Sequence, residues 1–292
     1  MLQRTKGAVV ITGASTGVGR ATALLLDKEG YRVFAGVRKE KDAESLKLVA
    51  SGNLTPIIID VTQSEQIRNA AKLVSQTIGN EGLIGLVNNA GILIDGPVEY
   101  IELDELRWQF EVNVIGQIAV TQAFLPAIRK AKGRIINIGS VSGKVSSPFF
   151  SALCASKFAM EAFTDALRME LNPWGIEVIL VEPGAIASAA PDKVEESLSK
   201  KLTTMPPEAK TMYGDIYKFC IEQLIESNRK GMLCEQVASI IQKALEARKP
   251  KTRYFVSKEQ AFLHFVLTAS KFLPDRVCDA IKLKELELKH EN

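Results

Sequence analysis

Thr12-Gly13-Ala14-Ser15-Thr16-Gly17-Val18-Gly19 decides the fold. The octet follows the apolar run Ala8–Thr12 and opens a helical pattern over Gly19–Glu29. A helix N-terminus offers free N–H groups and the positive end of its dipole, so it attracts phosphate. In this reading Gly13 permits the sharp turn and Gly17 lets the backbone approach a diphosphate. Gly19 lets helix and strand pack closely. Glycines alone would carry little; their place between a strand and a helix makes the reading specific. Gly13, Ser15, Thr16, Gly17, Val18 and Gly19 are therefore candidate dinucleotide-binding residues.

Short apolar runs then alternate with helical patterns along the chain. Strands are expected at Ala8–Thr12, Arg32–Val37, Thr55–Asp60, Ile84–Asn88, Arg134–Ile138, Glu177–Glu182 and Arg253–Val256. Helices are expected at Gly19–Glu29, Asp42–Ser51, Ser64–Thr77, Asp104–Lys130, Ser151–Leu171 and Glu235–Ala247. Several strands are almost wholly apolar, which suits strands covered on both faces. The alternation predicts an α/β fold, a doubly wound parallel sheet of Rossmann type, in one domain over residues 1–258. The stretch from about 185 to 231 is more polar and holds Pro191, Pro206 and Pro207, so it reads as a substrate loop over one end of the sheet. Residues 259–292 read as a C-terminal helical extension whose spaced apolar residues include Phe262, Leu263, Phe265, Val266, Leu267, Phe272 and Leu273. Docking on the body, a dimer contact and peripheral membrane contact are its three expected fates.

Composition narrows the function classes. With 46% hydrophobic and 24% charged residues over 292, the chain can bury a large core without disulfides or metal. Its net charge of +3 and lack of a basic cluster exclude a nucleic-acid partner. Cys154, Cys220, Cys234 and Cys278 show no CxxC spacing and read as reduced thiols of a cytoplasmic protein. The two histidines, His264 and His290, build neither a metal site nor a His-based triad. There is no apolar run of spanning length, and Met1–Gly7 is too short and polar for a signal peptide.

The octet also matches the TGxxxGxG pattern of short-chain dehydrogenases/reductases, and further segments agree. Asn88-Asn89-Ala90-Gly91 resembles that family's NNAG turn, and Asp60-Val61 its adenine-contacting pair. Asn113 stands in an Asn-Val-x-Gly stretch and Ser140 in Gly-Ser-Val-Ser-Gly. Pro183-Gly184-Ala185-Ile186 resembles the PGxI turn, with Ser188 where the family usually has Thr. The resemblance spans residues 6–257. The tail segment Leu273-Pro274-Asp275-Arg276 is similar to the branch holding 17β-hydroxysteroid and retinol dehydrogenases. It implies that Asp60, Val61, Asn89, Ala90, Gly91, Lys157, Pro183, Gly184, Ile186 and Ser188 hold a nicotinamide dinucleotide. A homodimer or homotetramer through the helices Asp104–Lys130 and Ser151–Leu171 is implied as well.

The end of the second strand selects the cofactor. An acid there would repel a 2′-phosphate; here Val37 is followed by Arg38 and Lys39, and Arg can hold a phosphate with two donors. The expectation is NADP(H), with Arg20 adding charge. The alternative is that Arg38 and Lys39 are a solvated loop and NAD(H) serves.

The catalytic row of the family resembled is Asn113, Ser140, a Tyr, and Lys157, with Tyr four residues before Lys so that both share one helix face. This sequence reads Leu153-Cys154-Ala155-Ser156-Lys157. Leu153 occupies the tyrosine's place and has no proton to give. Ser140 can still donate to a substrate oxygen, and Asn113 can still order water behind Lys157. Three readings follow. One is an oxidoreductase on a hydrophobic alcohol or carbonyl that keeps its cofactor but turns over slowly. In another, Lys157 through water, or Tyr213 or Tyr217, takes the proton role. The third is a non-redox descendant: an isomerase, lyase or cofactor-binding scaffold. Ile92, Leu93, Val145, Phe149 and Leu153 would line an apolar pocket, and Cys154 faces away as packing.

Overall fold

The computed structural model describes residues 6–187, 190–258 and 273–285. Seven parallel strands form one sheet: β1 (Ala8–Ile11), β2 (Arg32–Val37), β3 (Leu54–Ile58), β4 (Leu83–Asn88), β5 (Arg134–Ile138), β6 (Glu177–Pro183) and β9 (Arg253–Val256). Their order is β3-β2-β1-β4-β5-β6-β9. The order reverses between β1 and β4, and doubly wound sheets open their ligand crevice at such a switch point.

Side chains alternate across the sheet with period two. Ala8 and Val10 enter one cluster with Phe34, Leu86, Phe124 and Ile135. Val9 and Ile11 enter the other with Val33, Val87, Ile136 and Ile179. The first layer is closed by α3 (Ser64–Ile78), α5 (Gly116–Ala131) and α6 (Ser151–Leu171). The second is closed by α1 (Gly17–Lys28), α2 (Glu40–Lys47) and α9 (Cys234–Glu246). Central strands covered on both faces explain the unbroken apolar runs of the sequence.

The expected helix over 104–130 is present as an unbroken helical run: α4 (Leu103–Phe110), a π-helical turn over Glu111–Ile115 that the sequence reading does not foresee, and α5. One expectation is corrected. The expected substrate loop is helical: α7 (Ala190–Thr204) and α8 (Pro207–Arg229), closed by a small parallel pair of β7 (Ile186–Ala187) and β8 (Met232–Leu233). Pro207 is the first residue of α8, where its missing N–H costs nothing and its fixed φ suits the helix.

Ser188 and the tail residues Phe262, Leu263, Phe265, Val266, Leu267 and Phe272 lie outside the described residues. Beyond them a helix runs Asp275–Glu285, with Val277 and Ile281 exposed, and Lys282 Nζ donates to the carbonyl of Ser146 at 2.9 Å. No described helix is long and apolar enough to cross a membrane. The described residues hold no group of side chains suited to a metal ion.

Candidate active site

The glycine turn after β1 abuts the turn after β4. Gly13 and Gly17 have φ of +65° and +58°, a region that disfavours side chains. A Cβ at Gly13 would lie 2.8 Å from Ala90 Cα. Asn89 fastens the turn: its Nδ2 donates to the carbonyls of Thr12 (2.9 Å) and Gly13 (3.1 Å). Thr12 Oγ1 accepts from the N–H groups of Asn89 and Ala90, both at 3.0 Å. Thr16 precedes α1 in extended conformation with no side-chain cap, and the first turn carries no acid. Nothing lies within 4 Å of a Cβ placed on Gly17. The first N–H groups of α1 thus face an open, uncapped cradle, and a dinucleotide diphosphate fits it.

Asp60 and Val61 follow β3. Asp60 Oδ1 accepts from Thr62 N (3.0 Å) and Thr62 Oγ1 (2.8 Å), so this oxygen is used in its own turn. Val61 is buried at the switch-point side of α5, where a Cβ on Gly116 would meet its carbonyl at 2.7 Å. At the end of β2, Val37 is buried while Arg38 and Lys39 are exposed. Neither of these two side chains is paired among the described residues. Arg20 Nη2 donates to Ser45 O at 3.4 Å.

Leu153 and Lys157 sit one turn apart on α6, both half-buried. Lys157 Nζ donates to Ile138 O at 2.8 Å. Burial of the ammonium pushes it down from 10.5 to about 8. Ser140 caps the short helical turn Val141–Gly143, where its Oγ accepts from Ser142 N at 3.1 Å and donates to Pro183 O at 3.4 Å. The turn after β5 is thereby tied to the end of β6, ahead of Gly184.

Asn113 lies in the π-helical turn, a device that often re-aims side chains at functional sites. Its Oδ1 accepts from Ile92 N at 2.8 Å, and its Nδ2 donates to Ile92 O (3.0 Å) and Ser156 Oγ (3.2 Å). The expected water-ordering side chain is therefore spent on fixing the strand-end turn to α6, because every polar atom of the amide already has a protein partner. Sequence reading missed two residues of this clamp. Gln109 Oε1 accepts from Ile94 N at 2.7 Å and its Nε2 donates to Ile92 O at 2.9 Å. Ser156 Oγ donates to the Leu153 carbonyl at 2.7 Å. Only the spacing Gln109-x-x-x-Asn113, two amides on one helix face, signals it in the sequence.

Residues 7–199 match the family described as short chain dehydrogenase. The chain belongs to the short-chain dehydrogenase family. Family membership makes its class of chemistry NAD(P)-dependent oxidation or reduction at an alcohol or carbonyl carbon. Among its relatives is retinol dehydrogenase 5 of Mus musculus, 36% identical and covering 94% of this chain and 86% of the relative. The 17-beta-hydroxysteroid dehydrogenase type 6 of Bos taurus is 37% identical with the same coverage. An NADPH-dependent 3-dehydrocapnine reductase of Ornithobacterium rhinotracheale is 34% identical and covers 95% and 96%. A short chain dehydrogenase from Burkholderia cenocepacia solved with NADP superposes with a TM-score of 0.70. It is 26% identical and covers 97% and 99% of the two chains.

The hydroxyls of Tyr213 and Tyr217 are both engaged. Tyr217 is fully buried, and its hydroxyl donates to Asp95 Oδ1 at 2.7 Å. Tyr213 donates to Glu99 Oε2 at 2.8 Å. Burial first, then the Asp95 charge, pushes the Tyr217 phenol up; the bond to Glu99 does the same for Tyr213. Both shifts run away from the range a proton donor needs near neutrality. Both features stand against the expectation that Tyr213 or Tyr217 takes the proton role. Cys154 is buried with Phe150, Leu198, Tyr217 and Ile221, and burial raises its thiol, which fits packing rather than chemistry.

Proposed function

We propose that this chain is an NADP(H)-dependent oxidoreductase for a hydrophobic alcohol or ketone whose proton transfer is held back by Leu153. The observation that carries the reading is the intact surround of that leucine. Ser140 bonded to the end of β6, Lys157 held at the end of β5 and the uncapped cradle of α1 support a retained site in which Leu153 brings no hydroxyl. A bound nicotinamide supplies or takes the hydride. Lys157, brought down to about 8, holds a proton at neutral pH that it can release to a developing alkoxide through water. Ser140 Oγ keeps a donor for the substrate oxygen once it turns from the carbonyl of Pro183.

Substrate class rests on the apolar cluster between α6 and the α7–α8 pair: Phe150, Leu198, Tyr217, Ile221 and Ile225, with Leu93 and Phe149 packed against it. Its likeness to a retinol dehydrogenase and a 17-beta-hydroxysteroid dehydrogenase points the same way. The test is turnover of a panel of apolar ketones with NADPH. A second reading, a non-redox descendant, is favoured by one observation: Leu153 has no exchangeable proton. NADPH bound tightly with no turnover in any variant would select it.

NADP(H) is supported by two unpaired cations at the end of β2, by the NADPH-dependent relative and by the structural neighbour solved with NADP. Arg38→Glu should weaken NADPH by about ten- to a hundredfold. Loss of a charged hydrogen bond costs about 1.5–3 kcal/mol, and each 1.4 kcal/mol is a factor of ten. NADH should change little. Equal losses for both dinucleotides, read by fluorescence titration, would remove the preference.

The exposed apolar residues Trp108 on α4, Ile115 in the π-helical turn and Phe158 on α6 support pairing with a second copy through these helices. Light scattering should report a dimer or tetramer, and Phe158→Glu should lower its mass to that of a single chain. A wild-type chain that scatters as a monomer would end this proposal.

A further inference from the structure

A buried cluster of ions beside Ser140 and Lys157 is used by none of the steps above. Glu182 on β6 is fully buried, and Glu161 on α6, one turn beyond Lys157, is 8% exposed. Lys144, which directly follows the Ser140 turn, pairs with Glu161 Oε2 and lies 3.5 Å from Glu182 Oε1. From β9, Arg253 Nε and Nη2 donate to Glu161 Oε2 at 3.2 and 3.1 Å. The same Nη2 lies 2.7 Å from both Asp165 oxygens, and Arg168 Nη1 donates to Asp165 Oδ1 at 2.6 Å. The hydrogen bonds that Lys144, Arg168 and Arg253 make in the cluster go to Glu161 Oε2 or to Asp165.

Glu161 Oε1 and both Glu182 oxygens are buried without a hydrogen bond, and Lys144 reaches Glu182 Oε1 only as an ion pair at 3.5 Å. Orphaned buried acceptors are costly, and two neighbouring buried carboxylates cannot both ionise cheaply. One proton between them supplies the missing donor. Burial and then the Glu161 carboxyl push Glu182 up to about 8, against the pull of Lys144 and Arg253. The pair also touches the working parts. A Cβ on Gly139, the residue before Ser140, would lie 3.5 Å from Glu182 Cγ. One on Gly143 would lie 3.2 Å from Glu161 Cγ and 3.0 Å from the Lys157 carbonyl.

We propose that Glu161 and Glu182 share one proton while the site works, and that with Lys144 they are positioning residues that clamp the Ser140 turn against the Lys157 helix. This rests on the reading of Ser140 and Lys157 given above. Loss of the proton would set two buried charges against each other under the turn, and misplacement on the scale of an ångström can cost on the order of a hundredfold in rate.

Three measurements decide it. Infrared difference spectra of wild type minus Glu182→Gln at neutral pH should show a protonated carboxyl stretch that fades as pH rises through about 8. Absence of that band overturns the shared proton, whatever the activity. A carboxyl raised from 4.5 to about 8 lends full stability below 4.5 and loses it as pH rises through 8, so the wild-type thermal midpoint should fall across that window. Glu182→Gln, which cannot titrate, should flatten the fall; an unchanged slope counts against the pair. In kcat/KM, Lys144→Met should lose at least about tenfold with NADPH affinity kept, and Lys144→Arg should recover most of it. Wild-type turnover in Lys144→Met overturns the clamp. If neither wild type nor Leu153→Tyr turns over any ketone, the underlying reading falls and the clamp falls with it. The infrared and thermal results then still judge the acid pair.

Discussion

Leu153→Tyr should raise NADPH-dependent ketone reduction by about 10²–10⁴-fold, the usual worth of a positioned general acid. The seat is ready on three counts. Residue 153 is one helical turn from Lys157 and half-buried, so a side chain there can reach into the site. The bond that fixes this turn runs from Ser156 Oγ to the backbone carbonyl of residue 153, so it is indifferent to the side chain. Lys157 is bonded to the Ile138 carbonyl, with its charge unpaired by any carboxylate among the described residues. An ammonium beside a phenol lowers the phenol from about 10 toward working pH. The wild-type pH profile should differ in a defined direction. Burial lowers Lys157 to about 8, so the protonated donor is lost, and reduction slows, as pH rises through that value. The decisive result is rate at matched cofactor saturation. A tyrosine variant that binds NADPH as wild type does, and still reduces no ketone in the panel, would exclude the impaired-oxidoreductase reading.

Gly19→Ala should weaken NADPH by about thirtyfold. Alanine is the better helix former by about 1 kcal/mol, so a change on an open helix would stabilise. Here the added methyl would lie 2.3 Å from the Gly13 carbonyl oxygen and 2.4 Å from Asn89 Nδ2. Neither atom is free to retreat: one is backbone, the other is bonded to Thr12 and Gly13 carbonyls. Overpacking costs about 1–3 kcal/mol, and contacts this short sit at the upper end, so about 2 kcal/mol remains after the propensity gain, which corresponds to that loss of affinity. Gly52→Ala is the control, since nothing lies within 4 Å of its Cβ position and its φ is not positive. A lower thermal midpoint with an unchanged dissociation constant would show that the turn is not the cofactor's seat.

The elements that sequence reading located best are those whose own residues force the outcome. Arg32–Val37, Arg134–Ile138, Arg253–Val256 and the helix Ser151–Leu171 fall where the periodicity places them. The α7–α8 pair was misread because Pro206 and Pro207 look like breaks. A proline that ends one helix and a proline that starts another have the same local signature. The π-helical turn at Glu111–Ile115 has no composition of its own; Asn113 within it and Gln109 just ahead of it both bond Ile92 in the turn after β4.

What the residues determine alone is local: a glycine turn between strand and helix, two cations at the end of β2, and a leucine four places before a lysine. These follow from spacing and side-chain chemistry within one or two turns of chain. Which tyrosines are spent on Asp95 and Glu99, what Asn113 holds, and where Glu161 meets Glu182 depend on contacts between segments 21 to 122 residues apart. Burial and the partner across a packed layer fix a group's charge and its freedom to act, and only the folded chain supplies either.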